Sequence, residues 1–361
     1  MKILAYGDVH LHSWPRFSRR LPNGMESRTA DGLNVLRQIR DLAAEWKPDV
    51  IVNLGDTTHR QHAVRFKLYN PLTDLLAEQA SIAPLVITLG NHDIEGEGSH
   101  SLHPFSKIPN VTVVDEGPAF IQSAEISVVP YSDDPVKVTG WVDGLMDGYP
   151  LVAHYGAEGA PLESDYWLDS PLKLDMLRRF PMTLFGHIHK PSVQCAECRS
   201  GLAPDEIAGP CAVCHAYTGR VIYVGAPMHF DFGDAGARSV LLCDTRSGGV
   251  TRAHISAPRF VTATWPRVPA ETQPQSYLRI LNVPRGELDQ VKRTFLDAGW
   301  LDVVPVPADL TPQTKAIAAQ GLAIKDTTVA DYVRQAAADQ DLARQKGLVE
   351  DGERWLNEAR R

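Results

Sequence analysis

The sequence predicts an α/β fold with a parallel sheet, on three observations. Short apolar runs alternate with stretches of helical periodicity in the order strand, helix, strand, helix, strand, which implies parallel pairing with right-handed crossovers. Several of the runs stop at Gly followed by Asp, Asn or His. Three polar side chains in a row at a strand's carboxyl end are poor core material, and ligands collect at that end of open α/β sheets.

Taken in order, Lys2-Ile3-Leu4-Ala5-Tyr6 is the first strand and runs into Gly7-Asp8-Val9-His10. Leu11 to Thr29 is a loop long enough for a functional role, and it is locally basic, with Arg16, Arg19, Arg20 and Arg28 against Glu26. Asp31 to Trp46 places Val35, Ile39, Leu42 and Trp46 at helical spacing. The second strand, Asp49 to Leu54, ends in Gly55-Asp56-Thr57-Thr58-His59, with Arg60, Arg65 and Lys67 beyond it. A helix over roughly His62 to Ala80 presents Phe66, Tyr69, Leu72 and Leu76. The third strand, Pro84 to Leu89, delivers Gly90-Asn91-His92-Asp93.

Val111–Val114, Ala119–Ile121 and Ile126–Val129 are short strands between turn residues, predicting a second, more antiparallel sheet. Pro150–Ala153 runs into His154. A short helix over Leu172–Arg179 precedes Met182–Phe185, which runs into Gly186-His187-Ile188-His189. Further strands are expected at Arg220–Val224 and Ser239–Cys243. Prolines at 258, 266, 269 and 274 mark a linker around Ala257 to Gln275. Beyond it, Tyr277–Leu281, Gly286–Ala298 and Trp300–Val304 read as a βαβ unit. The tail from Val329 is charged, helical in propensity and sparsely apolar, which suits a partner-binding helix, with a frayed end as the alternative.

Five strand ends that each carry Asp, Asn or His suit a pair of divalent cations about 3.5–4 Å apart, which bind phosphate and activate water. An imidazole that titrates near neutral pH suits proton donation to a leaving oxygen. The chain contains no GxxxxGK[ST] loop and no GxSxG elbow, so neither a nucleotide-triphosphate motor nor a serine nucleophile is supported.

Asp8-x-His10, Gly55-Asp56-x-x-His59, Gly90-Asn91-His92-Asp93, the lone His154 and Gly186-His187-x-His189 resemble, in order and spacing, the five motifs of the calcineurin-like metallophosphoesterases. Within that superfamily, His59 and the stretch Tyr223-Val224-Gly225-Ala226-Pro227 to Phe232-Gly233-Asp234 resemble the SbcD-type nuclease subunit of the double-strand-break repair complex. The resemblance implies a four-layer α/β/β/α sandwich with a C-terminal α+β capping domain. It implies that Asp8, His10 and His189 hold one ion, that Asn91, His154 and His187 hold the other, and that Asp56 bridges. It casts His92 as general acid, Asp93 as the residue orienting it, and His59 as an aid near the scissile phosphate. Mn2+ is the expected metal, with Fe, Zn2+ or Mg2+ as alternatives. The implied activity is exo- and endonucleolytic hydrolysis of DNA, with an SbcC-like coiled-coil ATPase as partner and a homodimer as the usual assembly. A small nucleotide or phosphomonoester as substrate, and a non-catalytic scaffold, are the alternatives.

Cys195-x-x-Cys198 and Cys211-x-x-Cys214 stand twelve residues apart. Two such turns can place four thiolates around one structural Zn2+; two disulfides or a redox pair are the competing readings. The expected organisation is a catalytic domain over 1–257 with a zinc-ribbon-like insertion over 193–217, a capping domain over 258–328 and a helical tail over 329–361. The net charge of −8 differs from the basic footprint of most nucleic-acid binders, although bound cations would offset the acidic ligands. No run of eighteen apolar residues occurs, and the chain opens directly on a strand, so a cytoplasmic protein without a membrane span is expected.

Overall fold

The chain enters its first strand at once: β1 is Lys2–Tyr6, followed by α1 (Ser27–Trp46), β2 (Val50–Asn53), α2 (Phe66–Ile82) and β3 (Leu85–Thr88). A short hairpin, β4 (Ile94–Gly96) and β5 (Ser99–His100), precedes β6 (Val111–Val114), β7 (Ala119–Ile121) and β8 (Ile126–Val129). Then come α3 (Pro135–Asp143), β9 (Leu151–Ala153), α4 (Leu174–Leu177) and β10 (Met182–Phe185). The chain continues through β11 (Ser192–Cys195), β12 (Gly201–Leu202), β13 (Arg220–Tyr223), β14 (Ser239–Asp244) and β15 (Gly249–His254). It closes with β16 (Phe260–Thr264), β17 (Tyr277–Val283), α5 (Leu288–Asp297) and β18 (Asp302–Pro307). This computed structural model describes residues 1–59, 65–96, 98–160, 168–202, 211–216, 219–234, 236–269 and 276–308. The predicted helical tail, the capping-domain residues after 308 and the first turn of the helix expected from His62 lie outside them. Met1–Ala308 forms one compact unit. Among the described residues no helix is long and apolar enough to cross a membrane.

Two mixed sheets form an α/β sandwich. The first has the order β15-β14-β1-β2-β3-β6, with β1, β2, β3 and β6 parallel. The second has the order β12-β11-β13-β10-β9-β8-β7, with β8, β9, β10 and β13 parallel. Side chains alternate across each strand, and the packing follows that period of two. Ile3, Ala5, Val50, Val52 and Val86 face an apolar cluster shared with Ile126, Val128, Val152, Leu184 and Ile222 of the second sheet. Their neighbours Leu4, Tyr6, Ile51, Leu85 and Ile87 pack with Leu33, Leu36, Ile39, Leu72 and Leu76 of α1 and α2. On the second sheet Leu151, Ala153, Phe185, Val221 and Tyr223 pack with Val138, Val142, Leu174 and Leu177 of α3 and α4.

Three expectations change. Val111–Val114 joins the first sheet, parallel to β3, and the second sheet is parallel at its centre because α3 and α4 supply crossovers between β8, β9 and β10. The stretch expected to be a linker contains β16, whose Phe260-Val261-Thr262-Ala263-Thr264 is rich in strand formers and pairs in parallel with β17. The prolines that suggested a linker flank that strand rather than interrupt it. The C-terminal β/α region is therefore a three-stranded parallel sheet, β16-β17-β18, with α5 against it.

Candidate metal centre

The parallel pairing aims the carboxyl ends of β1, β2, β3, β9 and β10 at one place. Asp8, His10, Asp56, His154 and His189 are buried there, while His59, Asn91, His92 and His187 are half-buried and form the open side. All ten of the motif residues predicted for the centre, Asp93 included, are brought into this region.

Tight local backbone makes the convergence possible. Asp8, His10, Asp56 and His187 adopt left-handed φ values of 52°, 44°, 50° and 75°, a conformation that costs a residue with a side chain about 1–3 kcal/mol. The loops after β1 and β2 run side by side and hold it in place: Asp8 N–H donates to Gly55 O at 3.0 Å and His10 N–H to Asp56 O at 2.8 Å. The third loop meets them through Gly90, where a Cβ would lie 2.3 Å from Asp56 N and from Asp56 Oδ1. Only glycine fits that approach.

The ligand atoms of Asp8, His10 and His189 lie within 4.8 Å of one another, and so do those of Asp8, Asp56 and His154. His10 Nε2 faces His189 Nε2 at 3.0 Å. Asp56 Oδ2 stands 3.4 Å from His10 Nε2 and 3.3 Å from His154 Nε2, so one carboxylate oxygen touches an imidazole from each group. Asn91 Oδ1 is 3.0 Å from both His154 Nε2 and His187 Nδ1, which joins the last two predicted ligands to the second group. His154 Nδ1 donates to Leu54 O at 2.7 Å, leaving Nε2 as its inward lone pair.

The donor set fits two divalent cations on its own chemistry. Burial alone would lower the His154 pKa, yet the Asp56 and Asp8 carboxylates and the Leu54 carbonyl raise it to about 9. Burial pushes the Asp56 carboxyl up and His154 and His92 more than offset it, holding it below the usual carboxylate range. Two buried carboxylates ringed by imidazole nitrogens make a cluster that demands positive charge.

His92 and His59 stack, with ring centroids 4.7 Å apart and 16° between planes, and His59 Nδ1 lies 3.2 Å from His10 Nδ1. His92 is anchored by its backbone, which donates to Asp56 Oδ1 at 2.8 Å. The Asp93 carboxylate, expected to orient the His92 ring, accepts from Thr58 N at 2.9 Å, Thr58 Oγ1 at 3.1 Å, Gly90 N at 3.2 Å and Thr57 N at 3.4 Å. These contacts pin the second and third loops together; burial and Asp56 push its pKa up to about 7 against those donors.

Residues outside the motifs complete the wall. Phe230 sets its ring 5.1 Å from His10 and 5.2 Å from His189, and Trp14 lies 4.7 Å from His59. Buried Arg28 donates to Phe230 O at 2.8 Å. Buried Arg238 donates to His189 O at 2.6 Å and pairs with buried Asp234 at 3.1 Å. The spacing of motifs does not announce these residues; the nearest signal is the Phe232-Gly233-Asp234 stretch.

The four predicted cysteines form a second cluster. Their sulfurs lie within 4.8 Å of one another, with Cys195 to Cys214 at 3.6 Å and Cys198 to Cys211 at 3.7 Å. No disulfide joins them.

Residues 1–191 match the calcineurin-like phosphoesterase family, a span that contains every motif residue of the centre. The chain belongs to that family. As a calcineurin-like phosphoesterase with these clusters, it is a metal-dependent hydrolase. Its solved structural neighbours include a dimetal phosphatase from Danio rerio (10% identity, 67% of this chain and 91% of that one, TM-score 0.38). They also include nuclease MPE from Pseudomonas putida (16% identity, 70% and 87%, TM-score 0.30) and Yfce, a phosphoesterase from E. coli (13% identity, 71% and 100%, TM-score 0.30). No curated protein matches the sequence.

Proposed function

We propose that this chain hydrolyses phosphoesters at a two-metal centre, with Asp8, His10 and His189 holding one ion, Asn91, His154 and His187 the other, and Asp56 bridging. The position of Asp56 Oδ2, within 3.4 Å of an imidazole from each group, carries the reading. When bound, two divalent cations supply charge stabilisation for the phosphoryl oxygens and a water of lowered pKa. The chain's own residues do the rest. His92, half-buried on the open side, is placed to hold a proton for the leaving oxygen. His59 stacks on it and limits its rotation, and Asp93 ties together the loops that bear Asp56 and His92. Mn2+ suits this mixed nitrogen and oxygen set, as do Fe, Zn2+ and Mg2+.

A small nucleotide or phosphomonoester is the substrate class that asks least of the structure. A cavity of about 240 Å3 opens beside His187, lined by Tyr131, Ser132, Asp133, Tyr155 and Ser170, and its size suits one compact polar group. A second reading is DNA, as for an SbcD-type nuclease in a four-layer sandwich whose C-terminal region caps the site, with an SbcC-like ATPase and a second copy as partners. The resemblance of Tyr223 to Asp234 favours it, as does the basic loop after β1. Comparing Mn2+-dependent hydrolysis of p-nitrophenyl phosphate, bis-p-nitrophenyl phosphate, mononucleotides and linear duplex DNA separates the two. Activity confined to the small esters favours the first reading, and degradation of DNA favours the second. No hydrolysis of any, with no Mn2+ bound, sinks both.

A further inference from the structure

The cysteine cluster belongs to neither group of the metal centre, yet its surroundings lead straight to that centre. Its two turns share one backbone geometry. In the first, Arg199 takes φ 60° and donates its N–H to Cys195 O at 2.8 Å; in the second, His215 takes φ 59° and donates to Cys211 O at 2.8 Å. Two left-handed residues with large side chains, each directly after a Cys-x-x-Cys turn, are a repeated strain that four converging sulfurs account for. Thiolates about 2.3 Å from a central ion sit roughly 3.7–3.8 Å apart in a tetrahedron, and the sulfur pairs are 3.6 and 3.7 Å apart.

Cys195 ends β11, which begins three residues after His189 and pairs antiparallel with β13. Beside it, Gln194 is buried and reaches in two directions. Its Nε2 donates to Gly159 O at 2.6 Å, and its Oε1 accepts from Tyr223 Oη at 2.6 Å. Tyr223 Oη in turn accepts from Ala157 N at 3.1 Å. Ala157 and Gly159 lie on the loop that leaves His154. From the other side Arg178 donates to Ala196 O at 3.0 Å, clasping the first turn against the end of α4.

We propose that Cys195, Cys198, Cys211 and Cys214 bind one Zn2+, and that this ion is a positioning staple for the metal centre. It fixes the end of β11, and through Gln194 and Tyr223 it fixes the loops that carry His189 and His154. This rests on the two-metal reading for its second half only. Zinc at the cysteines and cation binding at the centre are then coupled, although the two sites share no ligand.

The test uses the full chain and needs no turnover. Loading with Co2+ after chelation gives one thiolate-ligated tetrahedral Co2+ per chain by absorption, in addition to any Co2+ at the centre, and Cys198→Ser/Cys211→Ser lacks that signature. Absence of the signature in the parent chain overturns the zinc site, whatever the protein hydrolyses. Mn2+ affinity, read by electron paramagnetic resonance, weakens about 10-fold or more in the double cysteine variant. Because that variant can fail to fold, Gln194→Leu and Tyr223→Phe are measured beside it. Both keep the thiolate-bound Co2+ signature and weaken Mn2+ binding in the same direction. Unchanged Mn2+ affinity in both, with the thiolate signature intact, overturns the staple.

Discussion

The two candidate metal-binding regions of this molecule are built by opposite strategies. The centre gathers side chains from Asp8 to His189, five strand ends in two sheets, and no pair of neighbouring motifs could assemble it alone. The cysteine cluster takes its ligands from two turns within twenty residues, each closed by its own backbone hydrogen bond. A site of the first kind depends on the whole fold for its geometry and stores strain in the backbone, at Asp8, His10, Asp56 and His187. A site of the second kind depends on its ion. The difference predicts which perturbations each will feel.

The largest effect is expected at the bridge. Asp56→Ala should lower kcat by at least about 10³-fold, beyond the 10–100-fold typical of partners that only orient ligands, while the cysteine cluster keeps its metal; steady-state kinetics and metal analysis check both. Next is Arg238→Leu, which removes the cation held against buried Asp234 and His189 O. It should cost about 3–5 kcal/mol in chemical denaturation, because it removes one member of a buried ion pair. Gly90→Ala sharpens the contrast further. A Cβ 2.3 Å from the Asp56 backbone and carboxylate should displace Asp56, weaken Mn2+ binding and cost about 1–3 kcal/mol, with the thiolate-bound metal still retained. If Gly90→Ala instead strips the thiolate-bound metal, the two regions are not built as differently as described.

The smallest effect concerns a group outside both. Burial pushes Asp31 up to about 6, with Arg28 and Arg19 opposing. Its folded pKa is above the ordinary value near 4. Its contribution is therefore greatest below pH 4 and is lost as the pH rises through about 6. Asp31→Asn should flatten that part of the stability profile and raise stability at pH 8 by about 1 kcal/mol, discounted for its partial exposure. Thermal melts across pH 4–8 read it, and neither metal site should respond.

Much of this was visible in the sequence, for reasons that differ by region. The strand ends could be read because four of the five apolar runs stop at a Gly beside a candidate ligand, as at Gly55-Asp56. The cysteines could be read because their spacing is local. Hidden were features set by tertiary partners. The parallel centre of the second sheet depends on where α3 and α4 pack, and β16 lies between prolines that mimic a linker. The destination of the Asp93 carboxylate is a loop met only after folding, and Phe230 and Arg238 join the centre from a stretch with no spacing rule to announce them.

The span of the centre also governs when it can be loaded. Asp8 leaves the ribosome early, but its partner His189 follows far behind, and the left-handed backbone at Asp8 holds only once the β2 loop lies alongside. The motif side chains can therefore converge only after residue 189 has been made, just past the middle of the chain. Every motif residue of the centre precedes Cys195, so the growing chain has released the whole span of the centre before the first thiol turn emerges.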